Sequence, residues 1–270
     1  MRPNSGHLRR RGATADFIDQ QVRVGRVSFP LSQLMTQTGL SESAAKSQLH
    51  RLGSRVVRLA PKQSFFLIVS PEHSVRGTPP VEWWLDDYFA WLCHPYYLAL
   101  QSAASVYGSN PQSIQVTQVM TDAPRRPIVV GRLRIAFFVK RRIQQTSTQQ
   151  LPNAQAPTRV STPAATVFDL LRHAAHIGGI GRAVETVRPL LVNLSVSELR
   201  AVLVAEDQTA TAQRLGFVME KAGYPKLAKA IDEWLPRKRP LISLVPSKSG
   251  PAASIAAPWR ILDNSGEFNS

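Results

Sequence analysis

The chain has 270 residues, enough to bury a full hydrophobic core and to form two domains. Its formal net charge of +15 and its pI near 10.8 indicate a polyanionic partner, either a nucleic acid or an anionic membrane surface. No apolar run approaches the roughly 18 residues that span a bilayer, which excludes membrane insertion, and the single cysteine excludes an internal disulfide framework.

The N-terminus is a short basic segment. Residues 1–14 contain four arginines and few large apolar groups, which predicts either a disordered arm that lies along DNA or an ordinary unstructured terminus. No apolar stretch follows the arginines, so the segment is not a secretory signal, and we expect a cytoplasmic protein. A short helix is predicted over residues 16–22, with Phe17 and Ile18 covering the core of the module that follows.

Residues 29–69 carry the pattern of helix, tight turn, helix and two-stranded wing. Pro30 suits the first helical turn, Gly39 suits a left-handed helix end, and Ser41 suits the N-cap of the second helix. The β-branched pair Val56-Val57 and the apolar run over residues 65–69 indicate strands. We therefore predict a winged helix-turn-helix domain over residues 15–76.

This module has the charge and side chains of a DNA-binding domain. Residues 1–76 hold twelve Lys and Arg against four Asp and Glu, and such a surplus is needed to neutralise phosphates. One face of the second helix presents side chains suited to a major groove: Ser43, Lys46, Ser47, His50 and Arg51. Phosphate contacts are predicted for Arg55, Arg58 and Lys62. The alternative is a module of this shape that binds protein or dimerises.

A stretch rich in proline and glycine at residues 71–80 predicts a domain boundary, with a second domain over residues 79–270. We predict that this domain opens with an aromatic-rich helix (81–93) and another helix (96–108). A strand (114–120), a hairpin turning at Gly131 and a loop (144–157) are expected next. The remaining predicted helices include 164–176, one from a capping box at Ser195, 209–222 and 225–234, and short strands close the chain. The expected fold class is α+β: a winged helix-turn-helix followed by a larger mixed α/β domain with a small sheet and a helical C-terminal half.

The second domain contains its own basic stretch. The candidate patch consists of Arg132, Arg134, Lys140, Arg141 and Arg142. It could contact DNA or RNA, or dock a protein. A solvated strand edge protected by charge is an equal alternative.

Residue patterns for catalysis are incomplete. His173 and His176 stand three apart on a predicted helix, a spacing that can chelate zinc, but no third ligand lies at a recognisable distance. Serine-hydrolase, Walker and dinucleotide-binding patterns are missing. Gly108-Ser109 followed by Asp122 resembles a nucleotidyltransferase, yet the second metal-binding carboxylate is absent. We therefore predict a binding protein, not an enzyme, without metal or cofactor.

Several stretches together resemble a known family. They are FPLSQL (29–34), YYLALQSA (96–103), VSTPAATVFDLL (160–171), AQRLGFVME (212–220), and VPS (245–247) followed by PWR (258–260). In these stretches the chain resembles the AbiEi family, the antitoxins and transcriptional repressors of bacterial abortive-infection toxin–antitoxin systems, which act in phage defence. The resemblance covers most of residues 15–265.

This resemblance implies a repressor that binds its own promoter, at inverted repeats, through the winged helix. It also implies that the second domain neutralises a nucleotidyltransferase-like toxin, functionally and without a required stable complex. No catalytic residues are implied. A monomer and a dimer are both compatible with inverted repeats.

Overall fold

A computed structural model of the chain describes residues 12–109, 114–151, 156–246, 255–266 and 268. Residues 1–11, which make up most of the predicted basic arm, lie outside the described residues. The chain forms two compact units. Unit 1 comprises the chain up to Tyr96 together with Pro124–Phe137 and Leu151–Thr158, and unit 2 comprises Tyr97–Ala123, Phe138–Gln150 and the chain from Arg159 onward.

The described helices and strands confirm the predicted α+β class. The α-helices are α1 (Ala13–Arg23), α2 (Leu31–Thr38), α3 (Glu42–Arg51), α4 (Leu85–Leu92), α5 (Leu100–Val106), α6 (Pro163–Arg172), α7 (Gly179–Leu191), α8 (Val196–Glu206), α9 (Thr209–Lys221) and α10 (Pro225–Trp234). The strands are β1 (Ser28–Pro30), β2 (Val56–Arg58), β3 (Phe65–Ile68), β4 (Tyr96–Leu98), β5 (Thr117–Thr121), β6 (Ile128–Val130), β7 (Leu133–Val139), β8 (Thr148–Gln150), β9 (Arg159–Ser161), β10 (Ile242–Ser243), β11 (Ile255–Ala256) and β12 (Ile261–Leu262). No helix in the described part of the chain has the length and apolar character needed to cross a membrane.

The first half of unit 1 is a winged helix-turn-helix, as predicted. Helices α1, α2 and α3 pack on one core that includes Phe17, Ile18, Leu34 and Leu49. Strands β1, β3 and β2 form an antiparallel sheet in that order. The third strand, β1, was not predicted, because a strand of three residues ending in proline is too short to show an alternating pattern.

The local geometry of the helix-turn-helix follows from three residues. Pro30 is the N-cap of α2, and Gly39 ends that helix with φ of 67°, in the left-handed region where glycine carries no Cβ penalty. The side-chain oxygen of Ser41 accepts a hydrogen bond from the Ala44 N–H at 3.3 Å, which caps α3. The predicted end of α2 at Gly39 and the predicted N-cap of α3 at Ser41 are therefore confirmed, whereas Pro30 immediately precedes the first helical turn in which it was expected.

The aromatic helix α4 belongs to unit 1, whereas the sequence analysis places it in the second domain. Tyr88 packs edge-on against Phe65 of β3, with ring centroids 5.3 Å apart, and its hydroxyl donates to Gln63 Oε1 at 3.0 Å. Ser28 Oγ donates to Asp87 at 2.8 Å. These contacts cover the face of the wing sheet opposite α1 to α3. Independent folding of residues 15–76 stays a prediction.

Helix α6 is the central helix of unit 2. It is buried from Ala164 to Leu171 and contacts α5, α7, α8 and α9. The strands β5, β4, β9 and β8 lie side by side in that order, with β4 parallel to β9 and β8 antiparallel to β9. The predicted helix over residues 96–108 is wrong in its first part, because Leu98 pairs with Val160 in the sheet. The predicted loop over residues 144–157 is wrong at β8, whose Thr-Gln-Gln sequence shows no apolar alternation.

Candidate DNA-binding surface

Helix α3 separates its buried and exposed faces cleanly. Ala45, Gln48 and Leu49 point into the core of unit 1. The predicted groove-facing side chains all lie on exposed residues: Ser43, Lys46, Ser47, His50 and Arg51. The exposed face therefore carries polar and cationic groups, which suit contact with a major groove, together with the single carboxylate of Glu42.

The wing adds further cations next to this helix. Lys46, His50 and Arg58 line one groove of about 430 Å³, whose floor includes Leu49, Val56 and Phe66. Lys62 is exposed in the turn between β2 and β3. The structure thus brings cationic side chains from the helix and the wing to a common surface.

The cationic side chains on this surface form exposed ion pairs and hydrogen bonds that phosphate could replace. Lys46 forms an exposed ion pair with Glu42 one turn earlier, and the hydrogen bond from Lys46 lowers the pKa of the Glu42 carboxyl. Arg51 Nε donates to the Ser47 carbonyl at 3.3 Å, and Arg58 Nε donates to the Gln63 carbonyl at 2.6 Å. Exposed pairs of this kind contribute little stability, so the side chains can turn to phosphate at small cost.

Arg55 lies apart from the other predicted contacts. Its guanidinium forms an exposed ion pair with Asp19 of α1 at 2.8 Å. It lines a separate depression together with Arg23 and Glu72. The sequence predicted the same phosphate contact for Arg55 and Arg58. It did not show that Arg55 is paired, because its partner Asp19 lies on α1, 36 residues away.

The second predicted basic patch is divided by the fold. Arg132 and Arg134 are exposed in unit 1, while Arg141 and Arg142 are exposed in unit 2. The placement of Lys140 in a surface patch is wrong, since its side chain is only 2% exposed. Lys140 is the first residue after β7, and it points into unit 2 because buried carboxylates there bind its charge.

Lys140 is the centre of a buried polar network. Its Nζ donates to Asp169 Oδ1 at 2.8 Å, to Glu206 Oε1 at 2.5 Å and to the Tyr97 hydroxyl at 3.1 Å, so all three ammonium protons have acceptors. The Tyr97 hydroxyl donates to Asp169 Oδ2 at 2.8 Å. Burial, together with the charge of Asp169, raises the pKa of Tyr97 well above its usual range, which keeps this donor protonated.

Asp169 and Glu206 are not among the site residues predicted from the sequence. A signal was present for Asp169, which interrupts an otherwise apolar stretch, Val167 to Leu171, in the most buried helix of unit 2. A charged residue in such a position needs a buried partner. Nothing local indicated which lysine or arginine would supply it, because Lys140 lies 29 residues away in sequence.

The predicted histidine pair does not lie on a single helix. Helix α6 ends at Arg172, His173 precedes a short 3-10 helix (Ala174–His176) and His176 is the last residue of that helix, with the two ring centroids 6.0 Å apart. Both rings pack edge-on against Phe138. Across the described ranges, no group of three or more His, Cys, Asp or Glu residues could hold a metal ion.

We expect His173 to make the stability of the protein depend on pH. Burial lowers the pKa of His173 from 6.5 to about 4, so the unfolded chain takes up this proton first as the pH falls. Its stabilising contribution is complete above pH 6.5 and is lost between pH 6.5 and 4. Wild type should lose about 2 kcal/mol more than His173→Phe between pH 7 and 4, measured by urea unfolding. Parallel loss in both proteins would contradict this assignment.

The core and wing of unit 1 define a winged helix-turn-helix protein, here joined to a helix-rich α+β unit. Residues 97–221 match the family model of the AbiEi antitoxin C-terminal domain, which confirms the predicted resemblance to the AbiEi antitoxins. The match supports an antitoxin role in a toxin–antitoxin system. The fold is shared with the crystal structure of the RV2827C protein from Mycobacterium tuberculosis, with a TM-score of 0.67 and 16% sequence identity over 93% of this chain and 91% of that chain. No curated protein matches the chain.

Proposed function

We propose that this antitoxin represses its own operon by binding promoter DNA through α3 and the wing. The observation that carries the proposal is the shared groove of Lys46, His50 and Arg58, which combines helix and wing cations on one exposed surface. The positive surplus of residues 1–76 supplies the phosphate attraction that such binding needs.

The residues divide into two roles in this proposal. Ser43, Lys46 and Ser47 are exposed within the first six residues of α3 and approach base edges. His50, Arg51, Arg58 and Lys62 lie toward the helix end and the wing, where phosphate contacts fix the register. Arg55 contributes less, because DNA must compete with its ion pair to Asp19.

We further propose that the protein neutralises a nucleotidyltransferase-like toxin encoded beside it, without catalysis of its own. The antitoxin family match supports this half of the proposal. Its test is co-expression of the chain with the neighbouring gene under separate promoters. Growth should resume when the antitoxin is induced, and continued arrest with soluble antitoxin present would contradict the role.

The proposed repressor activity predicts the behaviour of the double variant Lys46→Ala/Arg51→Ala. Lys46 should contribute about 1–3 kcal/mol to specific binding by reading a base, and Arg51 should contribute to the affinity for any DNA through its phosphate contact. A gel-shift titration on the DNA upstream of the gene, with scrambled DNA of equal length and two salt concentrations, measures the loss. If a side chain contacts only phosphate, its removal should weaken binding to both DNAs alike. The slope of log affinity against log salt concentration should then fall by about 1 per lost contact.

The matched control is Lys229→Ala. Lys229 is an exposed helical lysine paired with Glu233 at a spacing of four residues, as Lys46 is paired with Glu42, but it lies on α10 in unit 2. Its removal should leave operator affinity unchanged. Equal losses in the control and the α3 variant, or no loss in either, would contradict the placement of α3 on DNA.

The alternative function is RNA binding or protein docking without operator recognition. The exposed arginines that favour it are Arg132 and Arg134 in unit 1 and Arg141 and Arg142 in unit 2. In the gel shift, binding that is equal on operator and scrambled DNA and is lost at higher salt would favour this alternative.

A further inference from the structure

Unit 2 contains a cavity of about 450 Å³ beside the buried Lys140 network. The cavity lies where β7 ends and where α8 is followed by α9. Arg141, Arg142 and Arg172 line it, together with Glu206, Asp207 and Gln208. Its volume falls in the range of pockets that hold small molecules, roughly 300–1,000 Å³.

The carboxylates in this cavity are already occupied. Glu206 Oε1 accepts hydrogen bonds from Lys140 at 2.5 Å and from Thr146 at 3.1 Å, and Lys140 also neutralises Asp169. Asp207 is exposed and lies 3.7 Å from Arg142. A cation would have to compete with these residues, so the donor set does not suit a metal ion.

The guanidinium groups, in contrast, keep donors available. Arg172 forms an ion pair with Glu206 Oε2 at 3.8 Å, and this separation exceeds hydrogen-bond distance, so the pair uses none of the Arg172 N–H donors. With its amide oxygen turned toward Arg172, Gln208 accepts from both terminal nitrogens at 3.0 and 3.1 Å, which orients the guanidinium without neutralising it. Arg141 has no ion pair to any described residue.

We propose that this cavity binds the phosphate chain of a small molecule, such as free oligophosphate or the phosphates of a nucleotide. Planar guanidinium groups bind phosphate oxygens in pairs, and three of them line one cavity here. The buried network holds the inner wall rigid, because Lys140 fixes Glu206 to the carboxylate of Asp169. Three guanidinium groups supply more N–H donors than the oxygens of one phosphate can accept, so a chain of two or three phosphates is the ligand we propose.

Isothermal titration calorimetry of the full chain at constant ionic strength tests this proposal. The probes are inorganic triphosphate, ATP and adenosine. Triphosphate and ATP should bind saturably, and adenosine should not. Equal affinities would identify free oligophosphate chemistry, whereas tighter binding of ATP would assign the site to a nucleotide.

Two variants link binding to the cavity. Arg141→Gln/Arg142→Gln changes only exposed side chains and should weaken the binding of triphosphate at least about tenfold. Arg172→Gln should do the same, with its folding checked by its melting temperature. Arg188→Gln, an exposed arginine of α7 outside the cavity, should have no effect. Absence of saturable binding up to about 5 mM, or equal weakening by the control, would overturn the proposal. The test uses no DNA, so its outcome is independent of operator binding.

Discussion

Lys140→Met is expected to lower the free energy of unfolding by about 3–5 kcal/mol, because it leaves buried Asp169 and Glu206 without their shared cation. Two carboxylates whose side chains are almost fully buried are then left together, and the remaining cation near them is Arg172, 3.8 Å from Glu206 Oε2. Tyr97 and Thr146 can satisfy some of their oxygens but cannot supply positive charge. Urea unfolding followed by circular dichroism measures the loss.

The neighbouring side chain provides the control for this prediction. Arg141→Met removes an adjacent cation that is exposed, and it should change stability by less than about 0.5 kcal/mol. Replacing the whole group, in Lys140→Met/Asp169→Leu/Glu206→Met, should recover much of the loss, since buried ionic groups are often replaced by apolar residues without cost. A single variant as stable as wild type would show that the network contributes nothing.

Gly216→Ala is expected to destabilise the protein by about 2–3 kcal/mol, although alanine is the better helix former by about 1 kcal/mol. Gly216 lies inside α9, and a Cβ there would fall onto the six-membered ring of Trp259, which is 2% exposed. Trp259 is held from both ends. Its carbonyl accepts from Gln213 Nε2 at 2.7 Å, and its indole N–H donates to Glu220. The ring therefore cannot move aside without breaking these bonds.

In a double-mutant cycle, the effect of Gly216→Ala on stability should change sign when Trp259 is also replaced. Trp259→Ala alone should cost about 3–5 kcal/mol through the cavity it leaves. In that background Gly216→Ala should stabilise α9 by about 0.5–1 kcal/mol, because the obstacle is gone and only helix propensity remains. Melting temperatures of the four proteins give the result. A loss of the same size in both backgrounds would contradict the proposed contact.

The features predicted best from the sequence are those set by neighbouring residues, namely helix ends and buried helix faces. Caps at Gly39 and Ser41 and the stripe through Ala45 and Leu49 define the helix-turn-helix within a few residues, and the structure confirms them. The exposure of the groove-facing residues follows from the same periodicity. Their contacts with DNA stay a prediction.

The predictions that were wrong concern residues whose structure is set by contacts with residues far away in sequence. Tyr96-Tyr97-Leu98 is an apolar run that fits a helix or a buried strand, and pairing with Val160 decides for the strand. Lys140 was predicted to point outward like Arg132 and Arg134, yet its carboxylate acceptors lie 29 and 66 residues away in sequence and hold it inside unit 2. Gly216 and Trp259 both occur in the motifs that indicated the family, but no local signal showed that they touch.

Unit 1 is assembled from three separate stretches of chain, with stretches of unit 2 between them. Phe65 of the wing packs on Tyr88 and Trp91 of α4, and α4 in turn packs through Phe89 on Phe137 of β7. A recombination event near residue 77 would therefore strip the wing sheet of its covering helix and leave Phe65 in water. Recombination at this point would therefore separate residues that form one core, so the N-terminal half is not an exchangeable module.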